Sequence, residues 1–359
     1  MLIIQRHYLK EFLKVLFVIA VGLALIFSIL ELIDKVDDFL PYRPSLKNLM
    51  LYTVLNFPRY LLYLLPMATL LCSLFVFSQA KRREEITVIR SAGGRIKTLL
   101  TPFLVGGVFL SLFGFILGEL IVPEFSKEIR ELRETIIKRD KKFSFKEGTV
   151  WLRTADGSIV KIGLYIPEKK ISRNISIFKI GNGNLTERIE AEAGEWIESK
   201  GSESKWRLKN LILYDLKSGS VKKYEELEYP FIESLAVFSE DVQKPEEMGM
   251  RELFRYTRKL EEAGFKNLKL IVDLNAKVSY PFINFFMVLL GVSLPMRGKT
   301  GGGLVTTAIG IFISLVYWFS HTMSLSMGYY GILPPVISAW LVPVIFGIIA
   351  VNLFARIQE

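Results

Sequence analysis

The sequence contains very little of what catalytic and metal sites are usually built from. Cysteine occurs once, as Cys72, and histidine twice, as His7 and His321. A single cysteine excludes an intrachain disulfide and a CxxC metal site, and Cys72, inside an apolar run, reads as a small buried residue. Two histidines at opposite ends of the chain make no histidine-based metal motif. No nucleophile–base set and no catalytic carboxylate pair emerges either, so no cofactor is expected and catalysis has no visible carrier. The formal charge is +10, but no basic stripe with interleaved aromatics accompanies it, which argues against a nucleic-acid partner. Flexible linkers of the Gly/Ser type are also missing.

What is present is apolar sequence in long runs. Hydrophobic residues make up 51% of the chain and charged ones 23%, with a mean hydropathy of +0.34. That combination fits membrane spans segregated from a charged domain. A bilayer core takes roughly 20 apolar residues as a helix. Six runs are long enough: about Val15 to Ile33, Leu51 to Phe77, Leu99 to Val122, Leu270 to Leu294, Leu304 to Met327 and Leu333 to Phe354. The first is too long for a cleaved signal peptide and lacks a small-residue cleavage site before Glu31 and Asp34.

Short-loop Lys and Arg residues set the orientation. They are Arg6, Lys10 and Lys14 before the first span, and Lys81, Arg82, Arg83, Arg90, Arg95 and Lys97 after the second. Arg297 and Lys299 follow the fourth span, and Arg356 follows the sixth. With six spans these residues share one side, expected to be the cytoplasm, so both termini are expected there and Pro123 to Lys269 outside.

Between the third and fourth spans the pattern changes. From Phe143 to about Phe238, short β-type runs alternate with turns. Thr149 to Arg153 and Ser158 to Gly163 flank Ala155-Asp156-Gly157. Ile175 to Ile180 ends in Gly181-Asn182-Gly183-Asn184, and Lys205 to Tyr214 ends near Lys217-Ser218-Gly219-Ser220. Trp151, Trp196 and Trp206 can anchor a small core. About eight strands imply a sandwich, jelly roll or barrel. Helical patterns flank the domain. Glu124 to Lys142 continues the third span and puts Arg130 and Arg133 about one turn apart, and Met250 to Gly264 is amphipathic.

Four features bear on function. Gly298-Lys299-Thr300 resembles the end of a phosphate-binding loop, but the motif needs a glycine at position 293, where Ser293 stands. ATP hydrolysis would therefore fall to another chain. The stretch Arg83-Glu84-Glu85-Ile86-Thr87-Val88-Ile89-Arg90, ended by Gly93-Gly94, reads as a short amphipathic helix with acids first and bases last. It is either a positive-inside anchor or a coupling helix that offers Glu85 to a basic groove of a partner. Arg59, after Pro58, and the charges Glu31, Asp34, Lys35, Asp37 and Asp38 stand at the outer ends of the first two spans. They either snorkel or meet an anionic head group. His321, with Ser320, Ser324 and Ser326, makes the fifth span partly polar, for a cavity or for helix–helix hydrogen bonds.

Several stretches resemble the LptF/LptG permease family: Asn56-Phe57-Pro58-Arg59, Leu65-Pro66-Met67-Ala68, Arg83-Glu84-Glu85-Ile86 with Ser91-Ala92-Gly93, and Gly118-Glu119 with Pro123. Others are Val150-Trp151 with Asp156-Gly157, Lys277-Val278-Ser279-Tyr280-Pro281 and Tyr330-Gly331-Ile332-Leu333-Pro334-Pro335. Their order and spacing cover essentially the whole chain, and Ile33-Asp34-Lys35-Val36 leans toward the LptG branch.

The resemblance implies an α-helical polytopic membrane protein with six transmembrane helices (3+3) and an inserted all-β, jelly-roll-like periplasmic domain. The expected divisions are 1–122 with a coupling helix at about 82–95, 123–269 for the periplasmic domain with its flanking helices, and 270–359. It further implies a non-catalytic inner-membrane subunit that extracts lipopolysaccharide from the outer leaflet for export to the outer membrane. The implied partners are an LptB-like ATPase dimer, a paralogous six-helix LptF-like permease and an LptC-like bitopic protein. The family's coupling glutamate falls on Glu85, beside Arg83 and Glu84. Its lipopolysaccharide-binding basic residues fall on Arg59, Arg130 and Arg133. The family's further lysines near the end of the first helix meet Glu31, Asp37 and Asp38 here, with Lys35 nearby.

Two other readings compete: a mechanotransmitting subunit that regulates a periplasmic partner without moving lipid, and an intramembrane enzyme dependent on His321.

Overall fold

The computed structural model describes residues 3–136, 143–146, 149–153, 158–166, 171–181, 184–197, 205–216, 219–229, 245–262, 267–297 and 303–357. They divide into two compact units, Met1–Lys138 with Leu268–Glu359, and Arg139–Asn267. In chain order the elements begin with helices α1 (Ile3–Phe39), α2 (Leu46–Arg82), α3 (Glu85–Ser91), α4 (Ile96–Ile116) and α5 (Val122–Ile136). Seven strands follow: β1 (Phe143–Lys146), β2 (Thr149–Arg153), β3 (Ile159–Ile166), β4 (Ile171–Gly181), β5 (Asn184–Ile197), β6 (Lys205–Asp215) and β7 (Ser220–Tyr229). The described chain closes with α6 (Met250–Glu262), α7 (Leu268–Arg297), α8 (Gly303–Tyr329) and α9 (Pro335–Ala355).

Six helices are long and apolar enough to cross a bilayer: α1, α2, α4 with its continuation, α7, α8 and α9. All six spans read from hydropathy are helices. Several overrun the apolar run, because helix geometry continues through the charged turns that hydropathy trims. Between α4 and α5 the chain does not break. Residues Leu117–Ile121 form one π-helical turn, which shifts the phase of the helix where it passes α2. A Cβ on Gly118 would stand 3.2 Å from the Leu62 side chain there.

Two helices are central. About two-thirds of the apolar windows of α2 and α7 is buried, against a third or less for the other four. α1 and α8 both pack on α2, while α4 and α9 pack on α7. The crossing of α2 and α7 is tight: a Cβ on Gly291 would stand 2.3 Å from Ser73 Cβ and 3.1 Å from the Leu70 carbonyl oxygen. Between helices in lipid, such close approach gains dispersion contacts that burial alone cannot supply. Hydrogen bonds reinforce the packing. Ser279 Oγ donates to the Ala339 carbonyl at 2.9 Å, Ser324 Oγ to the Ser338 carbonyl at 2.7 Å, and Tyr280 Oη to the Tyr63 carbonyl at 2.7 Å. Of the uses weighed for the fifth span's polar residues, Ser324 takes the helix–helix one.

In the second unit the seven strands form one antiparallel sheet whose neighbours follow chain order from β1 to β7. The turn signals in the sequence fall between the strands they predict. β4 leads into β5 through Gly181 paired with Asn184, and β6 into β7 through Asp215 paired with Ser220. Alternation puts Val150, Ile162, Ile175, Ala191 and Leu211 in one cross-strand row, all buried in a common cluster with Trp206. Tyr165 belongs to that cluster, and burial pushes its phenol up to about 12. Of the tryptophans expected in the core, Trp206 is 1% exposed, whereas Trp151 is 43% exposed and carries Lys161 Nζ over its ring at 5.3 Å. Period-two alternation explains the difference, since Trp151 and the buried Val150 are consecutive and face opposite ways. The Trp196 side chain, residues 230–238 of the expected β region, and Gly298-Lys299-Thr300 lie outside the described residues.

Candidate functional site

Two groups of sequence-predicted residues lie toward opposite ends of α2. Arg59 stands in its first half and Arg83 immediately follows its last residue. At 1.5 Å per residue they are separated by about 36 Å of helix, slightly more than the roughly 30 Å hydrocarbon core of a bilayer.

At the Arg83 end, α2 stops and a tight turn leads into α3. Glu84 adopts a left-handed conformation (φ 59°, ψ 11°), which is uncommon for a non-glycine residue, and its carboxylate accepts from Thr87 Oγ1 at 2.7 Å. Glu85 begins the helix, nearest the positive end of its dipole. α3 ends as the Gly93-Gly94 signal predicts. Gly93 takes φ +78°, and the Gly94 amide reaches back to the Ile89 carbonyl at 2.9 Å, a Schellman closure. A Cβ on Gly94 would stand 2.8 Å from that same carbonyl oxygen. Ile86 is buried and anchors α3 to the helical core, in one cluster with Tyr8, Phe77 and Ile96.

Glu85 is partly exposed and held from two sides. Arg83 Nη1 lies 3.9 Å from Oε1, and the hydroxyl of Tyr8, near the start of α1, donates a short hydrogen bond to Oε2. The Tyr8 ring stacks on Phe77 with centroids 6.2 Å apart. One turn earlier, Gln5 Nε2 donates to the Thr98 carbonyl at 2.8 Å. The sequence reading missed Tyr8, because nothing in its neighbourhood marks it: it is one aromatic in an N-terminal amphipathic turn. Beside this cluster Arg82 and Arg83 line a cavity of about 380 Å³ together with Phe75, Ser78, Gln79 and Thr306.

At the other end, α1, α2 and α5 meet around an aromatic cluster. Phe39, Tyr52 and Ile136 are buried together, with Leu132 and Ile129 against them. Polar residues surround it. Tyr60 Oη donates to Glu31 Oε2 at 2.6 Å, Arg133 Nη2 lies 3.6 Å from Asp38 Oδ2, and Arg59 stands 5.8 Å from the Tyr63 ring centroid. Glu31, Arg59 and Arg133 are all within electrostatic reach of the Tyr52 phenol. The fold thus brings together Arg59 and Arg133, which are far apart in sequence. Arg130 is on the same helix as Arg133, one turn away. Lys35 pairs with Asp34 at 3.3 Å. The first-helix acids now have partners: Asp38 neutralises Arg133, and Glu31 orients Tyr60.

His321 is buried against aromatics. It stacks on Tyr317 at 5.5 Å with 10° between the ring planes and lies 5.8 Å from Tyr280. Among the described residues no three of His, Cys, Asp and Glu are placed to hold a metal ion.

Among the described residues, six helices long and apolar enough to cross a bilayer and an inserted antiparallel sheet define a multi-pass membrane protein. The family model for the lipopolysaccharide export system permease LptF/LptG matches residues 6–356, and the chain belongs to that family. It is similar to lipopolysaccharide export system permease protein LptG of Haemophilus influenzae, at 21% identity over 354 residues that cover 97% of this chain and 96% of that protein. It is accordingly an inner-membrane subunit of the lipopolysaccharide export system.

Proposed function

We propose that the chain is the LptG-like half of a permease that extracts lipopolysaccharide from the outer leaflet of the inner membrane. α1, α2 and α8 line half of a lipid cavity, and a paralogous LptF-like subunit supplies the other half. Lipopolysaccharide enters sideways, and its phosphates meet Arg59, Arg130 and Arg133, with Lys35 at the margin. An LptB-like ATPase dimer docks on α3 in the cytoplasm through Glu85, flanked by Arg83 and Glu84. Its motion narrows the cavity and lifts the lipid toward the periplasmic β domain, whose apolar interior accepts acyl chains. An LptC-like bitopic protein receives the lipid.

The observation that carries this reading is the convergence of Arg59 and Arg133 on one aromatic cluster at the end of α2 opposite Glu85. Cations at that depth and position are costly unless they meet anions. The flanking of α2 by both α1 and α8 supports the same face.

Co-purification from native membranes tests the proposal. A second six-helix subunit, an ATPase and bound lipopolysaccharide are expected together. Recovery of the ATPase with no lipopolysaccharide would favour instead a subunit that regulates a periplasmic partner without moving lipid.

A further inference from the structure

α1 is one continuous helix of 37 residues, about 55 Å long at 1.5 Å per residue. Along its middle it meets α2 with small side chains. Ala20, Ala24 and Ser28 are buried at four-residue spacing, which lets the two backbones approach closely, while Ile19, Leu23 and Phe27 pack beside them. Its specific polar links to other elements concentrate toward the ends. Near the start, Gln5 bonds the backbone of α4 and Tyr8 bonds Glu85 of α3. Near the finish, Glu31 accepts from Tyr60 and Asp38 pairs with Arg133. A continuous helix fastened by polar links near both ends can pass displacement along its axis.

We infer that Tyr8 is a positioning residue that fastens α1 to the coupling carboxylate of Glu85, so that movement of α3 is delivered to α1 and along it to the Arg133 cluster. This rests on the proposed role of Glu85. The chemistry is specific to the hydroxyl. The ring is already held by its stack on Phe77, and only the O–H joins it to Glu85. A hydrogen bond to a charged acceptor is among the stronger single links a protein makes. Without it α3 remains anchored by Ile86 and by its glycine closure, but Glu85 can swing independently of α1.

The test uses the whole permease–ATPase complex carrying this chain, reconstituted in vesicles containing lipopolysaccharide, and reads both ATP consumed and lipopolysaccharide released. Tyr8→Phe keeps the ring stack and removes the donor. The expected result is a fall of about tenfold in lipid released per ATP, the scale set by loss of one charge-assisted hydrogen bond, together with faster amide hydrogen exchange across residues 85–92. Adding Tyr8→Phe to Glu85→Gln should cost little more than Glu85→Gln alone, because the neutral amide has already removed the charged acceptor that the Tyr8 hydroxyl serves.

A wild-type ratio and unchanged exchange in Tyr8→Phe, with Glu85→Gln uncoupled, would overturn the Tyr8 inference and leave the role of Glu85 standing. Strict additivity of the two losses would overturn it as well. If Glu85→Gln itself transports normally, the coupling role of Glu85 fails first, and the two failures are thereby distinguished.

Discussion

Charged residues at the two ends of α2 do different work according to their partners. Glu85 is partly exposed and pinned between Tyr8 and Arg83, so it is presented in one orientation rather than left to sample many. Glu85→Ala or Glu85→Lys should abolish the coupling of ATP hydrolysis to transport while the chain still inserts, and vesicle transport with a parallel phosphate assay would show it. Normal transport by either variant would sink the assignment.

Arg133 is in the opposite situation. Its ion pair with Asp38 is half exposed on both sides, and such a pair is worth at most about 1 kcal/mol. Asp38 therefore competes with an incoming phosphate only weakly. Asp38→Asn should tighten lipopolysaccharide binding by up to about fivefold, the equivalent of that energy, whereas Arg133→Glu should weaken it in a salt-dependent way. Binding titrations at two salt concentrations check both, and unchanged affinity in Arg133→Glu would remove it from the site.

At the scale of elements, α3 depends on how it ends. Gly93 needs its positive φ, and an alanine there should cost about 1 kcal/mol. Gly94 needs empty space, because a Cβ would collide with the Ile89 backbone, and a backbone cannot step aside as a flexible side chain can. Gly94→Ala should therefore shift α3 and impair coupling more than Gly93→Ala does. Equal effects of the two in the transport assay would argue against that ranking. In the sheet, Trp206 fills the centre of the cross-strand core, so Trp206→Ala should destabilise the β domain by about 3–5 kcal/mol. The change is read as faster proteolysis within residues 143–229 with cleavage elsewhere unchanged.

These elements were unevenly legible in sequence. Hydropathy located all six spans because lipid demands long apolar helices, and Gly93-Gly94 announced the end of α3 through backbone chemistry that only glycine supplies. Strand turns were visible for the same reason. Trp151 was misplaced by residue type alone, since bulk favours burial while the pleat sends that position outward. Tyr8 was invisible because its meaning comes from a partner 77 positions away, as does the pairing of Asp38 with Arg133. The meeting of Arg59 with Arg133 likewise depends on how α5 returns to α2, which no local pattern encodes.

For the whole molecule, the side of the membrane on which each end lies is the expectation from which the rest of the mechanism follows. Basic residues cluster in the short loops and at the N-terminus, and from the positive-inside bias those loops are expected in the cytoplasm. One span, α4, then separates the α3 loop from the β domain by parity alone, whatever the pose of either unit. The chain suits a labelling test, because its one cysteine, Cys72, is fully buried in the helical core and should be silent to a bulky reagent. Lys97→Cys, just after α3, should resist a membrane-impermeant maleimide in intact cells and react after lysis. Lys223→Cys, exposed on β7, should react in cells whose outer membrane alone has been permeabilised. Reaction of Lys97→Cys under that second condition would invert the topology. It would also put Glu85 on the side where no ATPase can reach it, so one experiment tests orientation and coupling together.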